Sequence, residues 1–160
     1  MPNNIVVTGF MGTGKSTVGR IVAQALGREF VDMDEVIVQR EGMPIADIFK
    51  TKGGARFRDL ESELCVELSQ RDGLVLATGG GALMFDANRA ALARHARLFC
   101  LDAAPAEIAR RLEGDARRPL LDERDETQAV MERIEELLEQ REAAYALIPY
   151  HVATDGLAPD

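Results

Sequence analysis

The sequence predicts an α/β domain built on a mostly parallel sheet. Three observations carry this. Segments of helical and strand period alternate along the 160 residues. Ile5-Val6-Val7 and Leu74–Ala77 are continuous apolar runs, the pattern of strands covered on both faces. The first of these runs leads straight into a glycine-rich loop at the head of a helical pattern. A chain of this length suits one domain with a sizeable core.

Taken in order, Ile5–Thr8 is the first strand and Lys15–Leu26 the first helix. Gly27 follows where a C-terminal cap glycine belongs. Glu29–Asp32 reads as the second strand, and Asp34–Glu41 and Ile45–Lys50 as short helices. Gly54–Gln70 reads as a longer helix with an apolar stripe at Phe57, Leu60, Leu64 and Leu68. Leu74–Ala77 is the third strand, Ala87–Arg94 a helix, Arg97–Leu101 the fourth strand and Pro105–Leu112 a helix. Thr127–Leu147 is the last helix and His151–Ala153 a short final strand. Glu113 to Asp125 fits neither period; rich in Arg and Asp around a proline, it reads as a mobile surface loop.

The loop Gly9-Phe10-Met11-Gly12-Thr13-Gly14-Lys15-Ser16 matches G-x-x-x-x-G-K-[ST] at every fixed position, between a strand and a helix as the P-loop requires. Its glycines let successive N–H groups form an anion-binding nest, and the helix N-terminus adds partial positive charge. Lys15 then reaches the β/γ-phosphates of a nucleotide, and the Ser16 hydroxyl is placed to ligate Mg²⁺.

Composition sets the bounds. Apolar residues make up 46% and charged residues 29%, ordinary for a soluble globular protein. A net charge of −8 argues against nonspecific nucleic-acid or anionic-membrane binding. No apolar run approaches the roughly 18 residues of a membrane span, and no signal-peptide pattern opens the chain. Cys65 and Cys100 fall in apolar-patterned segments and read as small hydrophobes. His95 and His151 have no partner at metal-binding spacing. A cytoplasmic monomer is expected.

Four constellations stand beside the P-loop. Asp32 and Asp34 lie where the second strand ends, the edge at which open α/β sheets bind ligands. Alternation along an extended chain sets both carboxylates on one side. One then suits Mg²⁺ through water and the other a substrate hydroxyl; the plain alternative is that Asp34 caps the next helix. Arg58 and Glu61, three apart, are neighbours on a helix face, whether as an exposed ion pair or as part of a site. Thr78-Gly79-Gly80-Gly81 strips side chains from the binding edge, so backbone can approach a ligand. Arg110 and Arg111 complement a helix C-terminus, whereas Arg117 and Arg118 in the irregular segment suit a lid. Arg141 falls on the apolar stripe of Val130, Ile134, Leu137, Ala144 and Ile148, so it needs an anionic partner, either a substrate carboxylate or an internal acid.

In motif order these pieces resemble the shikimate kinase family over nearly the whole chain. The carriers are G-x-G-K-S-T at Gly12 to Thr17, F-x-D-x-D at Phe30 to Asp34 and I-x-x-I-F at Ile45 to Phe49. They continue with G-x-x-x-F-R-x-x-E at Gly53 to Glu61, T-G-G-G at Thr78 to Gly81, R-P-L-L at Arg118 to Leu121 and R-x-x-x-Y at Arg141 to Tyr145. The resemblance implies a P-loop NTPase fold of the nucleoside-monophosphate-kinase type, three layers α/β/α with a five-stranded parallel sheet. It implies one kinase domain over 1–160, with the P-loop at 9–17, a shikimate-binding region at about 32–61 and a lid at about 113–125.

The implied activity is transfer of the ATP γ-phosphoryl group to the 3-hydroxyl of shikimate, on the route to chorismate, with Mg²⁺ as cofactor. Carried over by motif, Lys15, Asp34 and Arg118 would be catalytic. Gly12, Thr13, Gly14, Lys15, Ser16, Thr17, Arg111 and Arg118 would hold the nucleotide. Asp34, Arg58, Glu61, Gly79, Gly80, Gly81 and Arg141 would hold shikimate, with Arg58 and Arg141 clamping its carboxylate. Ser16 would ligate Mg²⁺ with Asp32 behind it. The chain departs from the family at Gly54, where a glutamate is usual, and a final family helix is short or absent after the Thr154-Asp155 turn. A gluconate-kinase-like small-metabolite kinase and a non-catalytic nucleotide-binding relative are the alternatives.

Overall fold

The structure is a computed structural model and describes residues 2–113 and 127–158. Its elements are β1 (Asn4–Gly9), α1 (Lys15–Leu26), β2 (Glu29–Asp32), α2 (Met33–Glu41), α3 (Ile45–Ser69) and β3 (Leu74–Ala77). They continue with a 3-10 turn at Ala82–Met84, then α4 (Asp86–Ala93), β4 (Ala96–Asp102), α5 (Pro105–Leu112), α6 (Thr127–Tyr145) and β5 (Tyr150–Ala153). All five strands pair in parallel in the order β2-β3-β1-β4-β5. The expected parallel sheet with flanking helices is what forms.

Connectivity explains where the site lies. The chain runs from β1 past β3 to β2, then back across the sheet in the opposite direction to β3, β4 and β5. Right-handed crossovers place α1 on one face and the later connections on the other. The direction reverses at β1, so the crevice at its carboxyl end, shared with β3 and β4, is the switch point where such sheets bind ligands. The P-loop leaves β1 at that point and the triple glycine leaves β3 beside it.

The core forms where the apolar runs predict. Val6, Val75, Leu76, Ala77 and Cys100 in the central strands are fully buried, against Ile48, Leu64, Leu68, Leu92, Ile108 and Ile134 from the helices. Burial pushes the Cys65 and Cys100 thiols up to about 12, so both are protonated at neutral pH, and neither forms a disulfide. Among the described residues no helix is long and apolar enough to cross a membrane.

Two boundaries differ from expectation for physical reasons. The pair of helices expected at Ile45–Lys50 and Gly54–Gln70 form one run, Ile45–Ser69, broken at Gly53 with φ 82° and ψ 160°. That positive φ favours glycine. The 3-10 turn after the triple glycine carries no sequence signal. It is fixed from α4, where Asn88 Nδ2 donates to Ala82 O at 2.8 Å and Arg89 Nη1 to Leu83 O at 2.6 Å.

Candidate active site

The P-loop closes on itself around its own carbonyls. Gly12 and Gly14 take φ of 77° and 93°, conformations that a side chain would strain. Thr13 Oγ1 donates to Phe10 O at 2.7 Å, and Lys15 Nζ donates to the same carbonyl at 2.9 Å. Lys15 is 8% exposed, so its charge is held inside the nest. Thr17 is the third residue of α1, on its exposed side.

The Ser16 hydroxyl donates to Asp32 Oδ2, while Asp32 Oδ1 accepts from the backbone N–H groups of Asp34 at 3.0 Å and Glu35 at 3.3 Å. Asp32 is therefore the N-cap of α2, and Asp34 sits in its first turn. The chain is already helical at Met33, so the strand alternation expected to align the two carboxylates does not operate. They diverge: Asp32 turns to the P-loop serine and Asp34 to the triple glycine.

The glycines matter for space, not for backbone freedom, because none of the three has positive φ. A Cβ added to Gly79 would lie 2.6 Å from Glu61 Oε1 and 3.0 Å from Asp34 Oδ1. One added to Gly80 would lie 3.1 Å from Arg141 Nη1, and one on Gly81 3.7 Å from Arg141 Nη2. Consecutive glycines thus seat two carboxylates and a guanidinium against bare backbone. Tyr145, one helical turn after Arg141, donates its hydroxyl to Gly80 O at 2.6 Å and pins α6 to this loop. Arg141 also lies over the Phe10 ring, 5.2 Å from its centroid. Its Nη1 is buried with no hydrogen-bond partner among the described residues.

Glu61 is 4% exposed, which rules out a solvated ion pair with Arg58. Burial first, and the Asp34 charge second, push its carboxyl up to about 8, against the pull of Arg141 and Arg58. Glu61 therefore keeps its proton at neutral pH. The folded state keeps the Glu61 proton up to about pH 8, whereas the unfolded chain releases it near 4.5. Its contribution is complete below about 4.5 and is lost as pH rises through about 8, at up to about 1.4 kcal/mol per pH unit. Glu61→Gln should flatten the fall of Tm between pH 6 and 8, measured by calorimetry across that range. Arg58 stands on the exposed side of α3, where a Cβ on Gly54 would lie 3.3 Å from its Nη1 and 3.2 Å from Phe49 Cε1.

Arg110 and Arg111 separate in role. Both pair with Glu107, Arg110 at the surface, but among the described residues only Arg111 reaches further. Arg111 Nη1 donates to Gly12 O at 3.3 Å and to Thr154 Oγ1 at 3.1 Å, and its Nη2 donates to Thr154 O at 2.9 Å. It ties the P-loop to the segment after β5, a bridge that its place near a helix end did not signal. Arg118 and nearly all of the expected lid lie outside the described residues.

The arrangement offers a phosphate nest, a hydroxyl–carboxylate pair and, against the triple glycine, a group with both acid and cation. Comparison with known proteins agrees. The shikimate kinase family model matches residues 11–160. The shikimate kinase of Thermodesulfovibrio yellowstonii is 43% identical over 157 residues, 98% of this chain and 88% of that one. That of Geobacter sulfurreducens is 43% identical over 153 residues, 96% and 82% of the two chains. Among solved structures, the Acinetobacter baumannii shikimate kinase in complex with shikimate superposes with a TM-score of 0.87 at 36% identity, covering 94% of this chain and 82% of that one. The Bacteroides thetaiotaomicron enzyme gives 0.89 at 32% identity, covering 96% and 87%. A likeness this deep over nearly all of its length places the chain in one family: it is a member of the shikimate kinases.

Proposed function

We propose that this chain is an ATP-dependent shikimate kinase, transferring the γ-phosphoryl group to the 3-hydroxyl of shikimate. The observation that carries the acceptor assignment is Arg141. A buried guanidinium nitrogen without a partner among the described residues is costly, and a ligand carboxylate satisfies it. Arg58, on the exposed side of α3 where its charge still acts on Glu61, supplies the other jaw in this reading.

Phosphoryl transfer asks the protein mainly for positioning and charge stabilisation. Lys15 and the nest bind the β/γ-phosphates. Asp34, held against Gly79, accepts the hydrogen of the attacking hydroxyl, orients its lone pair toward phosphorus and takes the proton late. Glu61, neutral at pH 7, backs Asp34 without adding a charge that would repel the substrate carboxylate. Mg²⁺ fits at Ser16, where a hydroxyl and a carboxylate supply the hard oxygen surroundings it prefers. When bound it would neutralise charge on the phosphate oxygens. Thr17, beside Ser16, and Arg111, bonded to both Gly12 and Thr154, belong to the nucleotide side in this reading.

Gly79→Ala tests the seating of the acid pair. The added methyl meets Glu61 Oε1 at 2.6 Å, inside contact distance. A displacement of this order costs roughly 10²-fold in rate. The expected result is a folded protein with kcat/KM lowered by about that factor. The reading as a whole is tested by ADP release with ATP plus shikimate, with ATP plus gluconate and with ATP alone. Release that requires shikimate supports it; release equal in all three, or preferring gluconate, overturns it.

A further inference from the structure

Strands β4 and β5 carry a second group of donor side chains. In their parallel register Cys100 stands beside His151, and Asp102 beside Ala153. Alternation therefore puts Cys100, Asp102 and His151 on one face of the sheet. His151 Nδ1 lies 2.7 Å from Asp102 Oδ2, and Cys100 Sγ lies 3.5 Å from Asp102 Oδ1. One donor atom from each of the three falls within 4.8 Å of the other two. A cavity of about 350 Å³ opens beside them, lined by Asp102 and His151 from the sheet and by Glu139 and Glu142, among others, from α6. None of these side chains takes part in the phosphoryl transfer described above.

We propose that Cys100, Asp102 and His151 form a binding site for one Zn²⁺ ion, with water or Glu142 from the cavity as the fourth ligand. The donor set chooses the ion. A sulfur, an imidazole and a carboxylate suit a borderline-soft metal, whereas Mg²⁺ and Ca²⁺ prefer oxygen alone. Zinc bonds of about 2.0–2.3 Å place tetrahedral ligands roughly 3.3–3.8 Å apart. The sulfur–carboxylate separation of 3.5 Å is already in that range. From its 2.7 Å contact with Asp102 Oδ2 the imidazole must swing outward by less than about 1 Å and close on Cys100, whose donor lies within 4.8 Å; its side chain is 38% exposed. A plain His–Asp hydrogen bond accounts for two of the three donors but not for the thiol and the acid-lined cavity on the same face. Coordination deprotonates a thiol outright, so uptake releases the Cys100 proton to solvent as the S–Zn bond forms.

The site adjoins nucleotide-side structure. Asp102 O accepts from Thr154 N at 2.8 Å and from Thr154 Oγ1 at 2.9 Å, and Thr154 in turn holds Arg111. An ion joining β4 to β5 would steady the loop on which Arg111 rests.

Chelator-treated full-length protein titrated with Co²⁺ is the test. One equivalent should give tetrahedral d–d bands with a thiolate-to-cobalt charge-transfer band, and Zn²⁺ should displace the cobalt and raise Tm. Cys100→Ser should abolish the charge-transfer band. His151→Asn alters only a surface ring and spares folding; it should weaken Co²⁺ binding at least tenfold while leaving Mg²⁺-dependent turnover within about twofold. Absence of the charge-transfer band, its survival in Cys100→Ser, or Co²⁺ affinity unchanged in His151→Asn overturns the proposal.

Discussion

Asp34→Asn should lower kcat by roughly 10²–10⁴-fold, the range a positioned general base contributes, while the fold and ATP affinity persist. The substitution keeps the shape of the side chain but removes the charge that holds and finally accepts the hydroxyl proton. It also tests the coupling to Glu61. Asp34 is the second cause, after burial, that holds the Glu61 proton on up to about pH 8. In the variant that apparent value should fall, read as a shift in the pH dependence of Tm. ATP binding measured by calorimetry should stay within about threefold, because Asp34 stands on the acceptor side of the switch point. Near-normal kcat in Asp34→Asn would remove Asp34 from the chemistry.

Arg141→Met should raise the KM for shikimate by at least ~30-fold, corresponding to the 2 kcal/mol or more that truncating one side of a buried charge pair costs. Stability should move differently. Free Arg141 buries an Nη1 that lacks a partner among the described residues, and an apolar side chain of similar volume relieves that cost. The loss of its contact with the Phe10 ring, worth about 2 kcal/mol when desolvated, works in the other direction. Tm should therefore change by no more than a few degrees while substrate binding collapses. A merely structural arginine would show the reverse, with lowered Tm and unchanged KM.

The parts legible in the sequence are those set by local chemistry. The P-loop glycines, the helix Lys15–Leu26 and the strand Leu74–Ala77 appear where period and cap residues place them. The triple glycine was legible as a site of close approach, and the structure supplies what approaches: Glu61, Asp34 and Arg141. What stayed hidden depends on partners distant in the chain. The cap read as the alternative for Asp34 falls instead to Asp32, because the helix begins at Met33. For Glu61 an exposed ion pair and a place in the site both stood open, because spacing along α3 does not report burial. The bridge from Arg111 to Thr154 spans 43 residues, and the approach of His151 to Asp102 spans 49. Spacing alone reports neither, since the register of β4 against β5 creates the second and the meeting of α5 with the post-β5 loop creates the first.

The central claim is that a carboxylate-bearing acceptor sits between Arg141 and the Asp34–Glu61 pair. It is tested most directly by comparing shikimate with its methyl ester as substrate for the wild-type protein and for Arg141→Met. The account predicts that wild type prefers shikimate by at least ~30-fold in kcat/KM and that this preference shrinks at least tenfold in the variant. A preference unchanged by the substitution would contradict it.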